Sequence, residues 1–206
     1  MNVIPRIFLM LLAFGLVFAP VIALRAQEAA KPFKPYSGQP GRDVVWVPTP
    51  EATVQKMLDM AELKPDDYVI DLGSGDGRNV IAAAKRGIRG HGVEFNPNMV
   101  ALATQLAKEA GVAHLVKFIE GDMYAADIAQ ASVLPLFLLT ENLNVLMPSF
   151  LKLKPGARIV TNGFTIDGWE FDAHAIAEMI AGNGAMSIFM LFLPARPVHG
   201  GSAAKF

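Results

Sequence analysis

The sequence contains no cysteine among its 206 residues. This absence excludes thiolate nucleophiles, disulfides and cysteine-ligated zinc sites. The four histidines, at positions 91, 114, 174 and 199, do not have the spacing of metal ligands, so we expect no metal site. An excess of one charge is also missing, since 18 basic residues stand against 19 acidic ones. No nucleic-acid partner is therefore indicated, because phosphate binding depends on clustered basic residues.

An apolar run without charged residues lies near the N-terminus, over residues 7–24. Pro20 interrupts it, and the uninterrupted part has the length of a signal-peptide core. An uncleaved membrane anchor is the alternative, because the whole run is just long enough to cross a bilayer. Residues 1–26 are therefore predicted as a signal peptide or membrane anchor, which makes the protein exported or membrane-associated. Residues 27–46, rich in proline, glycine and charge, are predicted as a linker that forms a lid.

Short apolar strands alternate with helices over the rest of the chain. Five strands are predicted, at 68–72, 90–94, 116–120, 132–139 and 157–161. Helices are predicted from Thr49-Pro50 onward and at 79–86, 96–111 and 143–153. This alternation is typical of an α/β fold with a parallel sheet covered by helices on both faces. Two further β-rich runs flank Gly182-Asn183-Gly184, which predicts a closing antiparallel hairpin.

The stretch VIDLGSGDGRNV, residues 69–80, joins the first strand to the following helix. It contains three glycines, Gly73, Gly75 and Gly77. They leave the backbone bare at the carboxyl end of a parallel strand, where ligands bind in such sheets, although a plain strand-to-helix turn is the alternative. Glu94, at the end of the second strand, is placed to bind both ribose hydroxyls of an adenosine. Asp122, after the third strand, is placed to accept a hydrogen bond from the adenine amino group.

The spacing and charge of this loop bear on the type of cofactor. Its glycines follow G-x-G-x-G, whereas dinucleotide-binding proteins have G-x-G-x-x-G. Asp71 and Asp76 would repel a pyrophosphate but attract the ammonium and sulfonium groups of S-adenosylmethionine (SAM). The pattern predicts SAM as the cofactor and disfavours a nicotinamide-dependent oxidoreductase, which is one alternative function.

Three motifs, DLGSGDG, GVEFNPNMV and VKFIEGDMY, resemble the first three motifs of the class I SAM-dependent methyltransferases. The resemblance covers about residues 47–195 and implies a Rossmann-like, mostly parallel sheet with the strand order 3-2-1-4-5-7-6. Within this class, VPTPE and RIVTNGFTIDGW are most similar to the membrane-anchored protein-lysine methyltransferases, which include the mitochondrial enzyme acting on the c subunit of ATP synthase. The resemblance implies a methyltransferase domain over 47–197, a flexible tail over 198–206, and a protein lysine, membrane-associated in that subfamily, as the methyl acceptor.

The predicted cofactor-binding residues follow from these motifs and from the lid. They are Thr49, Asp71, Gly73, Ser74, Gly75, Asp76, Gly77, Glu94, Phe95, Asp122 and Met123. Phe95 and Met123 are expected to enclose the adenine, and core packing is the alternative. Trp46 is predicted either as part of a lid over the cofactor or as plain core.

The acceptor side is less defined by motifs. The resemblance points to the loop after the fourth strand, where Glu141 and Asn142 are the candidate catalytic residues, although Glu141 equally suits the first turn of a helix. The Asn/Asp-Pro-Pro-Tyr motif of enzymes that methylate amides and adenine amines is absent, which counts against those acceptors. A non-catalytic SAM-binding protein is the second alternative function.

Overall fold

The computed structural model describes residues 33–178, 185–192 and 196–197. The chain divides after Lys34 into two compact units, and the second, from Pro35 onward, contains every element named below. The predicted signal or anchor segment, the hairpin turn and the C-terminal tail lie outside the described residues. Over the ranges that are described, no helix has the length and apolar character needed to span a membrane.

Helices and strands alternate as the sequence predicts. The helices are α1 (Glu51–Met60), α2 (Arg78–Lys85), α3 (Pro97–Glu109) and α4 (Thr140–Phe150), with a 3₁₀ turn at Met123–Ala125. The parallel strands are β1 (Tyr68–Leu72), β2 (Arg89–Glu94), β3 (Val116–Glu120), β4 (Val133–Leu136) and β5 (Arg158–Asn162). The later strands are β6 (Trp169–Glu170), β7 (Ala173–Glu178), β8 (Ala185–Phe192) and β9 (Arg196–Pro197).

Seven of these strands form one sheet in the order β3-β2-β1-β4-β5-β8-β7. Strands β1 to β5 are mutually parallel, whereas β8 runs antiparallel to both β5 and β7. The two-residue strands β6 and β9 pair separately. With β6 left aside, the order is the 3-2-1-4-5-7-6 that the resemblance implies. The predicted α/β fold with a terminal antiparallel pair is confirmed.

The sheet buries an apolar face on each side. Val69 of β1 packs in a cluster with Met57 of α1 and Val80 of α2, and Ile70 packs on the opposite face with Phe150 of α4. All five side chains are fully buried. Because both faces are covered, the central strands β1 and β4 are almost entirely apolar.

A buried ion pair closes the edge of the sheet where the parallel strands begin. Arg158, at the start of β5, pairs with Asp67, just before β1. The Oγ of Ser132, just before β4, donates to Asp67 Oδ1 at 2.7 Å. This cluster ties together the amino ends of β1, β4 and β5 and leaves the carboxyl edge for a ligand.

Two predicted helix starts are wrong in detail. Helix α4 begins at Thr140 rather than at residue 143, because β4 ends at Leu136 and Leu139 already takes the N-cap position. Thr49 does not cap α1, since Pro50 is the N-cap and no side chain caps the helix there. The prediction for α3 is confirmed, since Asn96 caps it by accepting from the Asn98 N–H at 2.9 Å.

Candidate functional site

A cavity lies at the carboxyl edge of the five parallel strands, and the segment Gln39–Thr49 forms one of its walls. Ten of the eleven predicted cofactor residues line it: Thr49, Asp71, Gly73, Ser74, Gly75, Asp76, Glu94, Phe95, Asp122 and Met123. These residues, which are far apart in the sequence, lie around one cavity because the carboxyl ends of adjacent parallel strands meet at one edge of the sheet.

The glycine-rich loop bends because its glycines take left-handed backbone conformations. The φ angles are 72° at Gly73, 54° at Gly75 and 78° at Gly77. The N–H groups of Gly73 and Ser74 both donate to the carbonyl of Val93, at 2.8 and 3.0 Å, which fixes the loop against the end of β2. Residues with a Cβ rarely adopt such angles, so the three glycines are required by the turn itself.

Gly77, the eleventh predicted cofactor residue, does not line the cavity as the described residues enclose it. It is the N-cap of α2, and a Cβ there would lie 2.4 Å from the Phe118 ring and 2.9 Å from the Ala103 Cβ. The missing side chain allows α2 to pack closely against α3 and β3. The cofactor contact predicted for Gly77 stays a prediction.

Asp71 is a buried carboxylate on the floor of the cavity, with 3% of its surface exposed. Asn79 Nδ2 donates to its Oδ2 at 3.0 Å. Burial raises the pKa of Asp71 well above its usual range, the Asn79 hydrogen bond opposes this, and the nearby carboxylates of Glu94 and Asp76 add to it. A cation bound beside Asp71 would relieve both the desolvation and the repulsion.

Asp76 differs from Asp71 because its charge is compensated within the protein. The guanidinium of Arg78 donates to Asp76 Oδ1 through Nε at 2.9 Å, and its Nη1 donates to the carbonyl of Thr49 at 2.6 Å. Arg78 therefore joins the glycine-rich loop to the end of the lid. Sequence reasoning treated Asp76 as a free acid, and only the fold shows that the neighbouring arginine turns back onto it.

Glu94 receives two backbone hydrogen bonds. Its Oε2 accepts from Gly75 N–H at 2.9 Å and its Oε1 from Asn96 N–H at 2.8 Å. Each carboxylate oxygen keeps further lone pairs, so the side chain is held in place while it can still accept from two hydroxyl groups. This arrangement suits the predicted ribose contact, which stays a prediction.

The predicted adenine region is covered by a residue that sequence reasoning missed. Arg42 Nη1 donates to Asp122 Oδ2 at 2.8 Å, and the guanidinium carbon lies 5.0 Å from the centre of the Phe95 ring. Asp122 also accepts from the Tyr124 N–H at 2.9 Å, which orients its carboxylate. Arg42 thus contacts the two residues predicted to contact adenine.

The lid segment folds back on itself before it reaches α1. Gln39 and Trp46 form an antiparallel bridge, in which Trp46 N–H donates to Gln39 O at 2.9 Å. The Trp46 indole lies against Gly75, where a Cβ would come within 2.4 Å of the indole nitrogen. Trp46 lines the cavity, and its role in a lid stays a prediction. Tyr36 is exposed and is not among the described lining residues.

The two candidate catalytic residues lie outside the cavity that the described residues define. Glu141 is exposed in the first turn of α4, where its charge favours the helix dipole. Asn142 is buried, and its Nδ2 donates to the Tyr124 hydroxyl at 2.7 Å. Because α4 starts three residues earlier than predicted, Asn142 makes a structural contact between α4 and the loop after β3. The catalytic role predicted for Glu141 and Asn142 stays a prediction.

The strands β4 and β5 instead contribute Phe137, Leu139 and Phe164 to the cavity wall. The Phe137 and Phe164 ring centres are 6.2 Å apart, with 28° between the ring planes. Sequence reasoning missed these residues. Phe137 and Leu139 lie in the last part of the predicted strand 132–139, and Phe164 lies shortly after the predicted strand 157–161. These positions were a usable signal, because the carboxyl ends of parallel strands meet at one edge.

The charges of the cavity favour a cationic ligand. Five carboxylates and two arginines line it, and Arg42 and Arg78 are each engaged by an aspartate. Among the described residues, no cationic side chain pairs with Asp71 or Glu94. These groups fit the ammonium, sulfonium and hydroxyl groups of SAM better than they fit a pyrophosphate.

Comparison with known proteins identifies the family of the chain. The family model of the ANTKMT methyltransferase domain matches residues 71–173. A protein-lysine N-methyltransferase of Saccharolobus islandicus (strain REY15A) is 41% identical over 129 residues, which are 61% of this chain and 80% of that protein. The Mus musculus lysine N-methyltransferase for the c subunit of ATP synthase is 35% identical over 136 residues, which are 66% of this chain but 54% of the mouse protein.

One solved structure is similar in both sequence and fold. It is the RNA methyltransferase of Salinibacter ruber in complex with S-adenosyl-L-homocysteine, with 39% identity and a TM-score of 0.65 over 72% of this chain and 94% of that one. The fold and the cavity thus define a class I SAM-dependent methyltransferase with SAM as its methyl donor. More particularly, the chain belongs to the family of the ANTKMT methyltransferase domain.

Proposed function

We propose that the protein transfers a methyl group from SAM to the side-chain amine of a lysine in a protein substrate. The observation that carries this proposal is the similarity to the Saccharolobus protein-lysine N-methyltransferase, 80% of which aligns with this chain at 41% identity. The cavity supports it, because a carboxylate-rich cofactor region adjoins a wall without the polar groups that an amide or nucleobase acceptor would need.

An RNA acceptor is the second candidate, because the similar Salinibacter structure carries the name RNA methyltransferase. The charges at the cavity argue against it. RNA phosphates require free cations, yet carboxylates outnumber arginines in the lining and both arginines contact aspartates. The net charge of −1 gives no compensating long-range attraction.

The test is incubation of the full chain with methyl-labelled SAM and extracts of the source cells. We expect the label to resist ribonuclease, to be lost on protease treatment, and to appear as methyl-lysine after acid hydrolysis. Asp71→Asn at a low SAM concentration provides the control with reduced transfer, because it removes one carboxylate of the cofactor region while keeping the side-chain size. Label that disappears with ribonuclease would favour RNA, and SAM binding without any transfer would favour a non-catalytic binder.

We propose separately that residues 7–24 bring the protein to a membrane, so that its substrate is membrane-associated. The support is their uncharged apolar sequence and the resemblance to membrane-anchored enzymes. SAM is made in the cytosol, so an anchor with the enzyme domain on the cytosolic side is the arrangement that reconciles targeting with the cofactor. Cell fractionation of the full chain and of a form lacking residues 2–26 tests this. Equal recovery of both forms in the soluble fraction would contradict it.

A further inference from the structure

The two halves of the cavity differ in polarity. Strands β2 and β3 lie on one side of β1, and β4 and β5 lie on the other. The carboxyl ends of β1, β2 and β3 and the loops after them bring four carboxylates to the lining, from Asp71, Asp76, Glu94 and Asp122. The described lining residues that follow β4 and β5 are apolar, namely Phe137, Leu139 and Phe164. The sheet order therefore separates a carboxylate-rich region from an apolar one across β1.

We propose that Phe137, Leu139 and Phe164 bind the alkyl arm of the acceptor lysine and receive its amine in the uncharged form. The inference rests on the proposed function, since it assigns a site to the acceptor. Cofactor groups are expected over β1 to β3, which leaves the β4 and β5 side for the second substrate. A wall of two aromatic rings and a leucine matches the four methylenes of a lysine side chain, because it offers contact area without hydrogen-bonding groups.

The apolar wall also has a consequence for the protonation of lysine. Desolvation lowers the pKa of an amine, so an apolar site selects the neutral amine over the ammonium ion. Within the described lining, no titratable side chain follows β4 or β5. The lysine therefore loses its proton to water as it enters. Its nitrogen lone pair then forms the N–C bond while the C–S bond breaks, its electron pair goes to sulfur, and the methylated nitrogen carries the positive charge until it releases a second proton to water.

Hydrogen bonds from α4 and β5 to the loop after β5 hold this wall in place. Asn144, on α4, donates through Nδ2 to Asp167 Oδ2 at 2.7 Å, and its Oδ1 accepts from the Asp167 N–H at 3.0 Å. The Oγ1 of Thr161 donates to the carbonyl of Phe164. The loop after β5 is thereby joined to α4 and to the sheet. Such a pre-formed site loses little conformational entropy on binding.

A pair of small molecules tests the site without knowledge of the natural substrate. Both are analogues of S-adenosylhomocysteine with nitrogen in place of sulfur, and that nitrogen carries either a methyl or an n-butyl group. We expect the full chain to bind the butyl compound about tenfold more tightly in calorimetric titration, because three more methylenes leave water in the apolar site. A third compound with a 3-carboxypropyl arm should show no such gain.

Two variants and a matched control locate the effect. Leu139→Asp changes a side chain that is 41% exposed, so the fold is retained, and Phe164→Ala removes one ring. Both should abolish the butyl advantage while leaving the affinity for S-adenosylhomocysteine within twofold. Val145→Asp introduces the same charge on α4 at a position that is 61% exposed and outside the described lining, and it should keep the advantage.

The outcomes separate this inference from the proposed function. Absence of a butyl advantage in the unmodified protein, or its persistence in both Leu139→Asp and Phe164→Ala, would overturn the assignment even if lysine is methylated. A butyl advantage that both variants lose would support the alkyl-amine site, and a failure to label lysine in the extract assay would then count against the proposed function alone.

Discussion

Replacing Asp71 by asparagine should stabilise the protein and weaken SAM binding at the same time. The carboxylate is buried, accepts one side-chain hydrogen bond from Asn79, and has no cationic partner among the described residues. Its pKa is raised mainly by burial, so ionised Asp71 costs folding free energy at neutral pH and the neutral amide does not. The oxygen that accepts from Asn79 is retained in the variant.

The magnitudes follow from the burial and the lost charge. Removal of one uncompensated buried charge should raise the free energy of unfolding by about 1–2 kcal/mol, which corresponds to about 2–8 °C in Tm for a chain of this size. Loss of a charge-assisted hydrogen bond to the cofactor ammonium should weaken SAM by about 10- to 150-fold, or about 1.5–3 kcal/mol. The variant should therefore melt above the unmodified protein without SAM, and saturating SAM should narrow or reverse that difference.

Asp67→Asn is the matched control, since it makes the same chemical change at a buried aspartate on the opposite edge of the sheet. Asp67 is paired with Arg158, so its neutralisation leaves a buried guanidinium without its counter-ion. We expect a loss of about 3–5 kcal/mol of stability and unchanged SAM affinity. Thermal melts with and without SAM and calorimetric titration measure both quantities. Destabilisation by Asp71→Asn, or unaltered SAM affinity, would refute the argument that the cavity keeps an uncompensated carboxylate for a cation.

Three further predictions follow from single contacts. Arg42→Ala should tighten SAM binding by about two- to fivefold, because it removes a partly exposed ion pair that covers the predicted adenine region. Weaker SAM binding in calorimetry would instead identify Arg42 as a cofactor ligand. Gly77→Ala should cost about 2–4 kcal/mol in urea unfolding, because its Cβ would meet the Phe118 ring, whereas Gly87→Ala, at a similar φ with open space around it, should cost about 1 kcal/mol. Burial lowers the pKa of His91, so the unfolded state takes up this proton first as the pH falls below about 6.5, and the free energy of unfolding should then decrease. His91→Phe should flatten the dependence of the free energy of unfolding on pH between pH 7.5 and 5.5. An unchanged dependence in the variant would contradict this prediction.

Much of the fold could be predicted because its signals are local. Glu94 and Asp122 could be placed near the glycine-rich loop because each follows a short apolar strand, and parallel strands align their carboxyl ends. The start of α4 could not be placed correctly, because the stretch PLFLL is apolar throughout and its composition does not show that β4 ends within it. The hydrogen bond between Asn142 and Tyr124 could therefore not be predicted.

The rest of the site depends on long-range contacts that the hydrophobic periodicity of the sequence does not predict. Arg42 reaches Asp122 across 80 positions of the chain, and Thr49 meets Arg78 across 29. Phe164 joins Phe137 because β5 lies beside β4 in the sheet. Such pairs are set by how loops fold back over the sheet edge, so only the three-dimensional structure reveals them.

The separation of charge across β1 suits the transfer that we propose. Before transfer, the positive charge is on the sulfonium, which is expected on the side that carries Asp71 and Glu94. Afterwards the charge is on the methylated nitrogen, against Phe137 and Phe164, where an ammonium ion is poorly solvated. The product must therefore lose a proton or leave, and neutral S-adenosylhomocysteine keeps less attraction to the carboxylates than SAM had. On this reasoning, S-adenosylhomocysteine should bind more weakly than its nitrogen analogue that carries a positive charge, and Asp71→Asn should reduce that difference. Equal affinities in the unmodified protein would show that the carboxylates do not sense the charge at the transfer centre.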